Sequence, residues 1–459
     1  MTRPSLRALY RQLAAALAVA VLAGPALAQK SNDGNNDEDA PATARNTPPS
    51  ASAQRVYDAA RDRLLQIRTL LRGQDSQAST GSGFIVTADG HAITNYHVVS
   101  QAALQPKRYR LVYVGTDGEQ GTVQLLAFDA LHDLALIKLV PNAKGAVAPH
   151  ARTPLTFRPR ASTVARGERI YSLGYPLDVG FALHEGTYNG LVERSFYPNI
   201  FFGGALNPGM SGGPAVDANG RIIGINVAAR IDGQSVSFLV PAEYAEDLLA
   251  RSRDAKPITQ AVYPEITRQL LIHQDQLTAR LLAMQWRDSG HERYNIPVPQ
   301  EDFMRCWGRS TPAETKGLQF ERSDCEMNNE VFVSGQLRTG GFSARHEAYD
   351  GSKLGTLRFA RQYSNSFRNE WFGGDRQRTP PQCHERYVDR DGLPLRVVTC
   401  MTAYRKLHGL YDLSVLVATL DENQMGAQGR MDVHGVSFDN AIKLTDHYLR
   451  GYGWKNASH

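Results

Sequence analysis

The chain has little cysteine, no long run of basic residues, and no long apolar segment beyond its first 30 residues. Its 459 residues include only four cysteines, and the net charge at pH 7 is +5. No C-x-x-C pair and no H-E-x-x-H sequence occurs, so we expect no metal and no cofactor. The missing basic run argues against nucleic-acid binding, and the missing apolar segment argues against a membrane span in the mature chain. Oligomeric state is left open.

The N-terminus has three features, in order, that are typical of an export signal. Three arginines lie within the first eleven residues, an Ala-rich apolar run follows, and Ala26-Leu27-Ala28 has the small-x-small pattern of a cleavage site. This order predicts a cleaved signal peptide over residues 1–28 and a periplasmic or secreted protein. Residues 29–54 are rich in Asn, Asp, Ser, Thr and Pro, so they cannot bury enough apolar area to fold and are predicted to be a disordered linker.

All four cysteines lie in the last third of the chain, where an exported protein would oxidise them to disulfides. Four cysteines allow three pairings, and we favour Cys306–Cys325 with Cys383–Cys400. The second pair brackets Arg390-Asp391-Gly392, which is a hairpin turn signal. Both pairs are predicted to be structural.

The pattern of apolar residues divides the remaining chain into three parts. Residues 55–254 contain short apolar runs separated by Asp-Gly and Asn-Gly turns, which predicts an all-β domain of sandwich or barrel type. Residues 255–289 are predicted to be a helical connector, because apolar residues recur at helical spacing from Tyr263 to Trp286. Residues 290–459 are predicted to be a smaller α+β domain that ends in a helix over Phe438–Arg450.

Ser211 is the candidate nucleophile, in the sequence Asn207-Pro208-Gly209-Met210-Ser211-Gly212-Gly213-Pro214. Glycines on both sides of the serine allow a tight turn that brings backbone N–H groups inward. The N–H groups of Gly209 and Ser211 are therefore candidates for an oxyanion hole.

The same stretch also satisfies G-x-S-x-G, the nucleophile elbow of α/β-hydrolases, which makes an esterase the rival enzyme. An elbow is followed by a helix, and its histidine comes last in the chain. Here Gly212-Gly213-Pro214 and Asn219-Gly220 indicate a hairpin after the serine. The strong His and Asp candidates both precede Ser211, so the elbow is disfavoured.

His97 and Asp133 are the candidates for the base and for the carboxylate that orients it. A strand is predicted to end at Thr94-Asn95, and a short turn is predicted to present His97. Asp133 directly precedes the apolar run 134–139. A carboxylate at the start of a buried strand can be shielded enough to orient an imidazole. Asp129 is the alternative carboxylate, whereas neighbouring His132 is taken to be a loop residue.

Together these residues resemble the trypsin-like serine peptidases, and in particular their bacterial Deg or HtrA branch. The resemblance covers about residues 60–250 and implies two β-barrels with His97, Asp133 and Ser211 as a triad in the cleft between them. The chain departs from the branch in having Met210 before the serine, and in lacking a recognisable PDZ domain after residue 254. The matching stretches are Thr80–Val86, Thr94–Val99, Asp133–Lys138, Asn207–Pro214 and Gly224–Asn226.

The resemblance also implies where a polypeptide substrate would bind. Ala205 and Leu206 are expected to line the pocket for the cleaved residue, and neither is acidic, so a small or medium aliphatic side chain is expected there. Val227, Ala228 and Ala229 are expected to form an open strand edge that pairs with extended or unfolded polypeptide. The alternative function is a catalytically silent or autoinhibited binding protein on a peptidase fold.

Overall fold

The computed structural model describes residues 50–140, 153–229, 236–287, 289–368 and 374–455. The predicted signal peptide and most of the predicted linker therefore lie outside the described residues. The linker was expected to reach residue 54, but helix α1 spans Ala51–Ala60, so its last residues are helical. Ser50 begins α1 because its hydroxyl accepts a hydrogen bond from Ala53 N at 3.1 Å.

Six antiparallel strands close into a first barrel, which leaves no open sheet edge. They are β1 (Leu64–Leu71), β2 (Gln77–Ile85), β3 (His91–Thr94), β4 (Tyr109–Gly115), β5 (Gln120–Asp129) and β6 (Leu134–Leu139). Their order around the barrel is β1-β2-β3-β6-β5-β4. Helix α2 (Tyr96–Leu104) lies between β3 and β4 and buries most of its side chains.

A second barrel repeats this arrangement with shorter strands. They are β7 (Arg169–Gly174), β8 (Ala182–Leu191), β9 (Ile200–Phe202), β10 (Pro214–Val216), β11 (Ile222–Ala229) and β12 (Ser237–Pro241). The order around this barrel is β10-β11-β12-β9-β8-β7. Helix α3 (Ala242–Ser252) follows β12 and packs between the barrels, where Ala245 and Leu248 are buried. The predicted double-barrel fold is confirmed.

Turns in the barrels occur at the predicted Asp-Gly and Asn-Gly pairs. Gly90, Gly118 and Gly220 have φ values of 89°, 82° and 75°, which a residue with a side chain adopts only with strain. A fourth expected turn, at Asp232-Gly233, lies outside the described residues.

The rest of the chain consists of a long helix and a large antiparallel sheet. Helix α4 spans Tyr263–Ala283, three residues shorter than predicted. A hairpin of β16 (Val331–Ser334) and β17 (Leu337–Thr339) lies outside the large sheet. The final helix, α6, spans Phe438–Arg450 as predicted and begins at Ser437, whose hydroxyl accepts from Asn440 N.

Seven strands form the large sheet, and helices α4 and α6 cover one of its faces. The strands are β14 (Met304–Ser310), β15 (Gln319–Met327), β18 (Phe342–Asp350), β19 (Gln382–Arg390), β20 (Leu393–Ala403), β21 (Tyr411–Thr419) and β22 (Met425–Val436). Their order is β14-β15-β18-β22-β21-β20-β19. The remaining elements are a two-stranded sheet of β13 (Tyr294–Asn295) and β23 (Gly453–Trp454), and helix α5 (Thr356–Ser366).

Both predicted disulfides are present, each across a pair of neighbouring strands. Cys306–Cys325 joins β14 to β15, and Cys383–Cys400 joins β19 to β20. The turn between β19 and β20 contains Asp391 and Gly392 at φ values of 52° and 84°, as its sequence predicts.

The apolar core of the first barrel continues into the C-terminal region. Buried residues of α2 and of the barrel pack in one cluster with Ile266 and Leu270 of α4 and with Val331 and Val333 of the hairpin β16–β17. The hairpin is therefore anchored on the first barrel.

Candidate active site

His97 lies in the first turn of helix α2, three residues after β3 ends. The sequence predicted a short turn at this position, and the structure has a helix instead. The imidazole Nδ1 is 2.5 Å from Asp133 Oδ2, and the backbone N–H of His97 donates to Asp133 Oδ1 at 2.8 Å. One carboxylate thus fixes both the ring and the backbone of His97.

Asp133 immediately precedes β6 and has a positive φ of 54°. Its carbonyl accepts hydrogen bonds from Tyr96 N at 3.1 Å and from Asn95 Nδ2 at 2.8 Å. These bonds join the start of β6 to the start of α2, so the positions of Asp133 and His97 are set together. An aspartate tolerates this left-handed conformation better than most residues do.

The alternative carboxylate, Asp129, is bonded elsewhere. It accepts from the backbone N–H groups of Leu131 and His132, both at 3.1 Å, and from Arg251 Nη2 at 2.9 Å. Burial alone would raise the pKa of Asp129, but hydrogen bonds and charge from His132 and Arg251 lower it to about 2. Asp129 therefore stabilises the turn before Asp133 and does not contact His97.

The pKa of His97 is raised above its ordinary value. Burial opposes the charged imidazolium, but the charge of Asp133 and the hydrogen bond to Asp133 favour it more strongly. The positive charge of Arg338 acts in the opposite direction and lowers the pKa of His97. Since Nδ1 faces a carboxylate, it carries the ring proton of the neutral form and leaves Nε2 free to accept one.

The Ser211 loop lies against β2 and against the residue that follows β3, just before His97. Ser82 N of β2 donates to Ser211 O at 2.7 Å, and Gly212 N donates to Asn226 O at 2.9 Å. A Cβ on Gly212 would lie 2.3 Å from Ser82 O and 2.8 Å from Asn95 N. The loop therefore touches the backbone two residues before His97, and it can do so only because Gly212 has no side chain.

The amide groups around Ser211 separate into bonded and unbonded ones. Met210 N donates to Asn207 O and Gly213 N donates to Met210 O, both at 3.0 Å. Within the described part of the chain, the N–H groups of Gly209 and Ser211 donate to no acceptor. These are the two amides that the sequence assigns to an oxyanion hole. Gly209 has a φ of 97°, and a Cβ there would lie 2.3 Å from Tyr175 O.

The Ser211 hydroxyl points towards the carbonyl of Val227, at 3.5 Å. No hydrogen bond joins it to His97 in the described residues, and the same hydroxyl can reach other directions by rotation about χ1. Met210 is fully buried, so its side chain points into the protein.

The expected substrate-binding residues lie on the second barrel. Ala205 is exposed, its carbonyl accepts from His184 Nδ1 at 2.7 Å, and Leu206 packs against the barrel core. Strand β10 pairs with β11 only as far as Ile225. Within the described residues, the edge of β11 that faces β10 therefore has no strand partner beyond Asn226, whereas the opposite edge pairs with β12 as far as Ala229.

Four side chains that no sequence pattern assigned to the site line a cavity of about 380 Å³ next to His97: His132, Tyr197, Phe332 and Arg338. His132, taken to be a loop residue, stacks on Tyr244 at 3.8 Å and contacts the ring of Tyr197 at 4.9 Å. Phe332 and Arg338 come from the hairpin β16–β17. None belongs to a local motif, and they meet only because distant parts of the chain fold together.

No group of three or more His, Cys, Asp or Glu side chains suited to a metal ion occurs in the residues that the structure describes. In the same residues, no helix is both long and apolar enough to cross a bilayer.

Comparison with known proteins identifies the barrel region. The family described as "Trypsin-like peptidase domain" matches residues 81–225. The chain is also 27% identical to the "Probable periplasmic serine endoprotease DegP-like" of Hahella chejuensis over 278 residues, which are 58% of this chain and 52% of that protein. Residues 81–225 thus match a trypsin-like peptidase domain, and the chain is similar to serine proteases of the Deg/HtrA type. This peptidase domain contains His97, Asp133 and Ser211.

Two other similar proteins match over a smaller share of the chain. "Serine protease HTRA1" of Xenopus tropicalis is 31% identical over 195 residues, 40% of this chain and 38% of that protein. The crystal structure of the Rv3671c protease from M. tuberculosis, in its active form, is 22% identical, with a TM-score of 0.39 over 47% of this chain and 91% of that one. The chain thus spans about half or less of the length of these curated relatives.

Proposed function

We propose that the protein is an exported serine endopeptidase that uses Ser211 as nucleophile, His97 as base and Asp133 as the orienting carboxylate. The observation that carries this proposal is the pairing of His97 Nδ1 with Asp133 Oδ2 at 2.5 Å. This bond fixes the tautomer in which Nε2 can accept the proton of a serine hydroxyl. The two unbonded amides beside Ser211 support the same function.

In the proposed reaction, the Ser211 hydroxyl turns from Val227 towards His97 and attacks the carbonyl carbon of a peptide bond. A bond forms between Oγ and that carbon while the hydroxyl proton passes to Nε2 of His97. His97 then gives this proton to the departing amine as the C–N bond breaks. A water molecule repeats the sequence on the acyl-enzyme and releases the second product.

The amides of Gly209 and Ser211 would stabilise the negative oxygen that develops in each step. Two donors that are already aligned need no reorganisation when the charge appears, and the loss of one such donor costs about 10²- to 10³-fold in rate. Their lack of other acceptors supports this role, because an amide bonded within the fold could not serve it.

The proposed substrate is an extended or unfolded polypeptide. A peptide strand can add to the β11 edge at Val227–Ala229, where pairing with β10 has ended. The side chain of the cleaved residue would then enter the pocket near Ala205 and Leu206. We propose a small or medium aliphatic preference there, because no acidic residue at these positions could pair with Lys or Arg.

We further propose that the protein acts in the periplasm or outside the cell. The predicted signal peptide and the two disulfides both suit an oxidising compartment. Periplasmic location is also part of the printed name of the Hahella chejuensis relative.

Labelling with a fluorophosphonate, which reacts with activated serines, tests the proposal. Wild type should label and should cleave an unfolded protein, whereas Ser211→Ala and His97→Ala should do neither. Ser162→Ala, at an exposed loop serine, is the matched control and should label like wild type. A wild-type protein that neither labels nor cleaves would contradict the proposal.

One observation favours a second candidate, a binding protein with an obstructed cleft. The Phe332 ring lies edge-on to the His97 ring, with the centroids 6.0 Å apart. If this ring blocked substrates, wild type would stay unlabelled and Phe332→Ala would react.

A further inference from the structure

The hairpin β16–β17 places two side chains beside His97, although it lies more than 200 residues later in the chain. Phe332 contacts His97, and the guanidinium carbon of Arg338 lies 5.4 Å from the centroid of the Phe332 ring. Phe332 and Arg338 are partners across the two strands of the hairpin. Their side chains therefore lie on the same face, the one that faces His97.

Several contacts attach the hairpin to the peptidase domain. Tyr96, which precedes His97, donates its hydroxyl to Val333 O at 3.1 Å in the buried interior. At the base of the hairpin, Asn329 Oδ1 accepts from Phe196 N at 2.8 Å. The hairpin is thus packed as a fixed part of the cleft.

A buried histidine provides a third attachment. His273 of α4 lies 2.7 Å from Gly340 O through Nε2 and 2.9 Å from the Tyr197 hydroxyl through Nδ1. Because a carbonyl only accepts, Nε2 donates to Gly340 and Nδ1 accepts from Tyr197. Burial lowers the pKa of His273, which favours this neutral form. The bridge connects the end of the hairpin to a side chain that lines the cavity beside His97.

The cavity of about 380 Å³ beside His97 is within reach of a peptide paired with the β11 edge, because Val227 of that edge lines it. Successive side chains of an extended strand point in opposite directions. A peptide paired with the β11 edge that inserts its cleaved residue near Leu206 would therefore direct the preceding side chain towards His97 and the hairpin. Val227, His97 and Phe332 all line this one cavity.

Arg338 is the cation available to that side chain. It is exposed, its guanidinium lies over the Phe332 ring, and no ion pair of Arg338 occurs within the described residues. Its positive charge lowers the pKa of His97. Glu330, which directly precedes β16, lines the same cavity; its carboxylate lies near Gly341, and no ion pair joins it to Arg338 within the described residues.

We propose that Phe332 and Arg338 form one wall of the substrate cleft, and that Arg338 selects an acidic side chain at the position just before the cleaved residue. This inference rests on the proposed peptidase function. It assigns to the C-terminal region a direct part in substrate choice, through a specificity-determining residue that touches the substrate.

Three peptide substrates that differ only in that position, with Glu, Gln or Lys, test the inference in the full-length protein. Wild type should cleave the Glu peptide about fivefold faster than the Lys peptide in kcat/KM, the size expected of one partly exposed ion pair. Arg338→Gln should bring this ratio close to one, and Arg338→Glu should reverse it. Arg309→Gln, the same change at an exposed position of β14, should keep the wild-type ratio.

Fluorophosphonate labelling of the same preparations tests the peptidase function separately from the selection of an acidic side chain by Arg338. If all variants label and cleave but the Glu-to-Lys ratio is the same in wild type and Arg338→Gln, the inference is wrong and the peptidase function stands. If wild type does not label, both are wrong. Labelling of Phe332→Ala alone would mean that the hairpin obstructs the cleft, which would also overturn the inference.

Discussion

The two halves of the candidate site are built in different ways. In the first barrel, a side chain positions the site, because the carboxylate of Asp133 accepts hydrogen bonds from both the ring and the backbone of His97. In the second barrel, the Ser211 loop is positioned by backbone contacts at places where no Cβ fits. Activity should therefore be lost in the first half when a substitution changes the charge of Asp133 or the position of the ring proton of His97. In the second half it should be lost when a glycine of the Ser211 loop gains a methyl group.

The largest expected effect is that of Asp133→Asn in the first half. An amide NH₂ facing Nδ1 favours the wrong imidazole tautomer, so we expect kcat to fall about 10⁴-fold with the fold unchanged. The measurement is steady-state cleavage of a peptide, with circular dichroism as the check on folding.

Asp129→Asn is the matched control for that change. It should keep most of the activity but lose up to about 2 kcal/mol of stability, because the pKa of Asp129 is lowered to about 2 in the folded protein. This contribution is present above the pKa of the unfolded chain and disappears as the pH falls towards 2. Severe loss of activity in Asp129→Asn, with Asp133→Asn still active, would exchange the roles of the two carboxylates.

Gly209→Ala should have the next largest effect, in the second half. The new Cβ would lie 2.3 Å from Tyr175 O, so the loop must move and one oxyanion donor is misplaced. We expect kcat to fall about 10²- to 10³-fold. Gly220→Ala is the control, because Gly220 also has a positive φ but its Cβ would meet nothing within 4 Å. It should cost about 1 kcal/mol of stability and leave kcat unchanged.

Most of the barrel half of the fold could be predicted because its signals are local. Turn glycines and short apolar runs each act over a few residues, and the structure has turns and strands at those places. The helix at His97 was not predicted, because Tyr96–Leu104 is apolar nearly throughout and has no amphipathic pattern. The start of α1 was missed because the preceding sequence is rich in residues typical of linkers.

The candidate site was predictable only in part, for a related reason. His97, Asp133 and Ser211 lie in short motifs, whereas the neighbours Tyr197, His273, Phe332 and Arg338 lie in none. Their positions depend on packing between the barrels, α4 and the hairpin β16–β17, with sequence separations of up to about 240 residues. No pattern within one strand or helix carries that information.

The pH dependence of kcat/KM tests the pairing of His97 with Asp133 in the first half. The pKa of His97 is raised by Asp133 despite burial, so the base stays protonated to a higher pH than an ordinary histidine. We expect kcat/KM to rise about tenfold per pH unit on the acid side and to reach half its plateau above pH 6.5. The stabilisation from the His97–Asp133 pair is full below the unfolded pKa and is lost as the pH rises through the folded one. A half-rise below 6.5 would be inconsistent with this pairing.

The smallest expected effect is that of Ser82→Ala, at the junction of the two halves. Ser82 Oγ donates to Gly209 O at 2.7 Å and accepts from Tyr175 N at 2.9 Å. Its loss leaves buried groups without partners and should cost about 1 to 3 kcal/mol of stability, with a severalfold fall in kcat. Ser79→Ala, on the same strand, should match wild type in melting temperature and rate. Equal effects of the two changes would argue against a link through Ser82.

The two disulfides lie at opposite borders of the seven-stranded sheet. Each attaches an outermost strand, β14 or β19, to its inner neighbour. An outermost strand that separates from its sheet exposes backbone groups to any extended chain nearby, including another copy of the protein. A protein proposed to meet unfolded polypeptides would face such chains often. The covalent links keep β14 and β19 attached to the sheet, so the inner edges of β15 and β20 are not exposed to foreign strands.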